Sequence, residues 1–63
     1  MSHHKIRVGD QVEANVAEVE GMVGEVTRSY TEDGVDMVEV TYDEPVFDDD
    51  NTLDVEVGAV TRA

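Results

Sequence analysis

The chain has no cysteine and no tryptophan, a single proline, a single phenylalanine, and only four lysine and arginine residues. Without cysteine there is neither a disulfide brace nor a thiolate metal site. So few cations leave little to grip a phosphate backbone, because that affinity comes from lysine and arginine displacing counterions. No apolar run approaches the roughly 20 residues that a helix needs to cross a bilayer. No secretory hydrophobic stretch follows the weakly basic start, so a cytoplasmic location is expected. Serine occurs only at Ser2 and Ser29, and histidine only at His3 and His4. A preorganised nucleophile or acid–base pair has almost nothing to draw on, and 63 residues leave little volume for a cleft. These scarcities predict a non-catalytic protein with no cofactor.

What the chain does have is acid. Sixteen aspartate and glutamate residues set the formal net charge at −12, and they are spread from Asp10 to Glu56 rather than gathered in a tail. High net charge with few aromatics is a signature of disorder, but the valines alternate within short runs, which a disordered acidic segment has no reason to maintain. Self-repulsion of this size destabilises a small domain in dilute buffer. At molar salt the screening length falls to about 3 Å and the repulsion fades. Dispersed acids with very little lysine therefore predict a protein adapted to a high-salt cytoplasm, of archaeal type. Anionic lipid repels such a surface, so no membrane partner is expected.

The alternation predicts five short strands, over residues 11–16, 22–30, 35–42, 51–55 and 59–62. In the first, Val12, Ala14 and Val16 share a face. In the second, Met22, Gly24, Val26 and Tyr30 share one, and Arg28 interrupts it, which predicts a bend or a rim position there. Thr31-Glu32-Asp33-Gly34 reads as a hairpin connection, since Asp-Gly tolerates positive φ. In the third strand Val38, Val40 and Tyr42 point inward. Pro45 ends it, and an acidic loop carrying Phe47 follows. A turn at Glu56-Val57-Gly58, of 3₁₀ character, leads to the last strand. No helical period competes with this pattern. The fold class expected is all-β, a small five-stranded barrel, with residues 1–7 as a flexible lead-in and residues 8–63 as one domain.

Gly9-Asp10-Gln11-Val12, followed by Gly21-Met22-Val23-Gly24-Glu25-Val26, resembles the KOW-type motif of SH3-like barrels. The resemblance covers roughly residues 7–62 and implies an SH3-like barrel with its first and last strands close together. It also implies the kind of role members of that class play, as ribosomal proteins, transcription elongation factors and small accessory subunits that bind RNA or protein through loops and an exposed strand edge. This chain carries Glu18, Glu20 and Glu25 where nucleic-acid-binding members carry cations.

Four candidate sites follow. The first is a protein-interaction surface of Met37, Tyr42 and Phe47 with the surrounding acids, and with Arg28 as a further member. Aromatics and methionine are enriched at interfaces, and Met37 lies opposite the inward Val38 and Val40. The competing reading has Phe47 folded back to plug the barrel. The second is a small nucleic-acid patch of Lys5, Arg7 and Arg62, to which Arg28 adds. The third is a weak hydrated cation site from Asp48, Asp50 and Asp54. An EF-hand is excluded, since Leu53 stands where that loop needs glycine and Ala59 where it needs glutamate. The fourth is the amino terminus, where His3 or His4, third in the chain with or without Met1, completes a square-planar copper or nickel chelate. The function expected is a protein-interaction module, an accessory factor of transcription or translation machinery, working as a monomer or weak homodimer. A KOW-like nucleic-acid module and a cation-binding domain are the alternatives.

Overall fold

The computed structural model describes residues 6–63. Lys5, His3 and His4, and with them the copper-chelate reading, lie outside the described residues.

Five strands form a single antiparallel sheet: β1 (Gln11–Ala14), β2 (Gly24–Glu32), β3 (Val35–Thr41), β4 (Thr52–Glu56) and β5 (Val60–Arg62). The order across the sheet is β4-β3-β2-β1-β5, so the first strand pairs with the last and β4 and β5 end the row. All five strands contribute to one core: Val12 and Ala14 from β1, Val26 from β2, Val38 and Val40 from β3, Val55 from β4 and Val60 from β5, joined by Val19 and Tyr42. A flat sheet cannot bring the same face of its two outermost strands to one cluster, so this sheet is strongly coiled. The all-β expectation holds, and so do all five strands, with ends displaced by a few residues.

Local chemistry explains the boundaries. The β2–β3 hairpin turns on Asp33 (φ 53°) and Gly34 (φ 79°), both left-handed, the geometry of a two-residue turn whose twist matches its strands. β2 begins at Gly24, opposite Val12 of β1, rather than at Met22, and Gly24 also sits close against β3. A Cβ there would lie 2.5 Å from Val40 Cγ1, 2.9 Å from Tyr42 Cε2 and 3.0 Å from the Thr41 carbonyl oxygen. The connection from β1 to β2 contains a 3₁₀ turn (Ala17–Val19) that drives Val19 fully into the core. A second 3₁₀ turn (Val57–Ala59) delivers the chain to β5, as expected. The packed unit reaches back beyond Val8: Ile6 lies against the core, and the Arg7 N–H donates to Asp10 Oδ2 at 2.9 Å.

Candidate functional site

The face of β2, β3 and β4 turned away from the core is built by one irregularity. Val26 pairs with Val40 and Arg28 pairs with Glu39, so Thr27 is an extra residue on β2, a β-bulge. One inserted residue reverses the alternation that follows. Val26 is buried, but Arg28, Tyr30 and Glu32 stand on the outer face, opposite Glu39, Met37 and Val35. The interruption that Arg28 makes in the apolar row marks this bulge. The expectation that Tyr30 shares the inward face of Val26 is corrected by it. The Thr27 hydroxyl holds the bulge, 2.9 Å from the Thr41 hydroxyl and 3.3 Å from the Glu39 carbonyl oxygen.

Register then sets the outer face in rows. Arg28, Glu39 and Asp54 align across three strands; Tyr30, Met37 and Glu56 form the next row. The Tyr30 hydroxyl donates to Asp54 Oδ2 at 2.5 Å, spanning β3 from β2 to β4. The Arg28 guanidinium carbon lies 4.4 Å from the Tyr30 ring centroid, within cation–π range. No described carboxylate is within ion-pair distance of Arg28. Donation to Asp54 raises the Tyr30 pKa above its ordinary value, with partial desolvation and the charges of Asp54 and Glu32 adding to this and Arg28 opposing it. Met37 and Tyr30 are half-buried and Met37 is not among the residues packed on the core, which agrees with its outward direction. Glu25, Glu32, Glu39, Asp54 and Glu56 share this face with one guanidinium.

Of the residues expected at an interaction surface, Met37 and Arg28 are brought to this one face. Tyr42 is not. It is 2% exposed and belongs to the core, as its place in the Val38, Val40, Tyr42 alternation required. Its hydroxyl is buried without a hydrogen-bond partner among the described residues, and burial pushes its pKa up. The tyrosine that joins Met37 is Tyr30, which sequence alternation hid behind the bulge. Phe47 lies apart, in the loop before β4, half-buried and bonded through its backbone to Asp50 in both directions. Val46, not Phe47, packs on the core from that loop, so Phe47 is no plug.

The acids proposed for a cation do not converge. Asp50 Oδ1 accepts from the Thr52 N–H (3.1 Å) and hydroxyl (2.9 Å), fixing the start of β4, while Asp54 is engaged by Tyr30. Asp48 occupies a left-handed position (φ 52°) in the tight turn between Phe47 and Asp50. Among the described residues no three histidine or acidic side chains are placed to hold a metal ion.

The β1–β5 pairing sets Arg62 opposite Val12, next to the turn that carries Arg7 and Asp10. Asp10 Oδ2 lies 3.6 Å from Arg62 Nε and accepts the Arg7 main-chain N–H. Arg28 is on the outer face of β2 and is not part of that cluster.

No helix among the described residues is long and apolar enough to cross a membrane. No protein-family model, no curated protein and no solved structure matches the chain.

Proposed function

We propose that the protein is a non-catalytic protein-interaction module of SH3-like, KOW-type barrel form, and that it binds its partner through the outer face of β2, β3 and β4. The observation that carries this reading is the seating of a half-exposed tyrosine and methionine side by side, Tyr30 opposite Met37, with exposed Val35 beyond them, on a face whose other residues are polar or charged. Aromatic residues and methionine are enriched at interface centres, and charged residues at the rim. The pairing of first and last strands and the 3₁₀ turn before β5 support the SH3-like reading. The ion pair of Arg62 with Asp10 weighs against a nucleic-acid patch there. The role is that of an accessory factor of transcription or translation machinery in a high-salt archaeal cytoplasm.

The test is affinity capture from native-salt lysate with three baits: the parent protein, Met37→Glu, and Thr61→Glu on exposed β5 as a control for added charge. The reading predicts a discrete set of proteins held by the parent and by Thr61→Glu and lost from Met37→Glu. Identical recoveries from all three baits contradict it.

A further inference from the structure

We infer that the partner presents arginine or lysine side chains, on an extended polypeptide segment laid across the Tyr30–Met37 face. The inference rests on the interaction reading above and names the chemistry of the occupant. Charge complementarity carries it. Glu32, Glu39, Asp54 and Glu56 stand in or beside the row of the apolar pair and Arg28 is the one cation there, so an anionic or nucleic-acid partner meets net repulsion.

The molecule already holds a cation of this kind. Arg28 lies over the Tyr30 ring and pairs with no described carboxylate. The ring is a good acceptor for it because the Tyr30 hydroxyl donates to Asp54, which pushes electron density toward the ring face that a guanidinium seeks. Arg28 is thus a resident occupant: a partner arginine that takes the ring competes with it and is repelled by it. β4, which carries Asp54 and Glu56, ends the sheet order and has no strand on its outer edge among the described residues, so an extended segment laid on this face can also meet that edge.

The sign of one substitution separates this from other readings. The probe is a fluorescein-labelled peptide of alternating glycine and arginine, with the glycine–glutamate peptide and a single-stranded RNA oligomer as comparisons. Binding is followed by anisotropy in molar KCl, where screening to about 3 Å suppresses the general pull of the net charge. Arg28→Ala should tighten arginine-peptide binding about threefold, by clearing the ring and removing a like charge. Tyr30→Leu should weaken it about threefold, the size of an exposed cation–π contact. Asp54→Asn should weaken it as well, and Glu13→Gln, one charge removed from exposed β1, should leave it within error. Circular dichroism confirms folding of each variant, and Arg28→Ala, a surface change, carries the test should Tyr30→Leu fail to fold. The inference is overturned if Arg28→Ala weakens binding, if Tyr30→Leu and Glu13→Gln act alike, or if the glutamate peptide or the RNA binds better. If Met37-dependent capture persists after any of these results, the interaction surface stands and only the cationic partner falls. If capture is also independent of Met37, both fall.

Discussion

The hydroxyl of Tyr30 on β2 reaches Asp54 on β4 at 2.5 Å, bridging the two strands over the intervening β3. The bridge exists because the bulge at Thr27 turned Tyr30 outward. It ties the three strands of the candidate surface together and orients the ring on which Arg28 rests.

Titration of the two tyrosines tests the bridge. Both are held above their ordinary pKa, Tyr30 chiefly by donating to Asp54 and Tyr42 by burial. A folded-state pKa raised above the unfolded value contributes stability that is complete below the unfolded value of about 10 and is lost as pH rises through the folded one. The protein should therefore lose stability in alkali above that point. Asp54→Asn should move one phenolate absorbance transition down toward the ordinary value and leave the other in place. No movement of either transition would mean that the hydrogen bond does not persist in solution.

Gly24 tests the close approach of β2 to β3. Alanine there puts a carbon 2.5 Å from Val40 Cγ1, with the Tyr42 ring and the Thr41 carbonyl blocking retreat. Gly24→Ala should cost about 1–3 kcal/mol, the usual range for overpacking a core, and should be visible as a lower denaturation midpoint. An unchanged midpoint would place β2 farther from β3 than described.

Tyr42 gives a prediction of opposite sign. Its hydroxyl is buried with no partner among the described residues, and such a group carries an unrecovered desolvation cost. Tyr42→Phe keeps the ring against Gly24 and removes the orphan. Stability should rise by about 1 kcal/mol. A loss of that size would show that the hydroxyl is hydrogen-bonded in solution.

Salt dependence tests the reading of the acidity. With a net charge of −12 on 63 residues, order and melting temperature should both rise as KCl goes from dilute to molar. A protein equally stable in dilute buffer would sever the acidity from salt adaptation.

The strands were legible because each alternates valine with polar residues, and the hairpin because Asp33-Gly34 suits left-handed backbone. The core was legible from the same alternation, including Tyr42, whose place among the inward residues was at odds with a surface role. Two features escaped it. Val19 is buried by a 3₁₀ turn inside a segment with no period to read. Tyr30 is exposed by an inserted residue, and periodicity gives no warning of an insertion except where a charge appears on the apolar face. Arg28 was that warning: it told of a break in β2 but not that every residue after it changes sides. The cation site failed for another reason. Spacing placed Asp48, Asp50 and Asp54 within a few residues, but a tight turn and hydrogen bonds to Thr52 and Tyr30 committed them to holding the loop and the sheet.

The most direct test of the Tyr30–Met37 face is methyl NMR of the methionine-labelled protein, titrated in molar KCl with the partner isolated by capture. Met37 stands on the outer face, while Met22 packs against the core and serves as an internal control. The account predicts that the Met37 methyl signal shifts or broadens in a saturable way while Met22 stays fixed. A saturable response at Met22 with Met37 silent would place the binding surface elsewhere and contradict it.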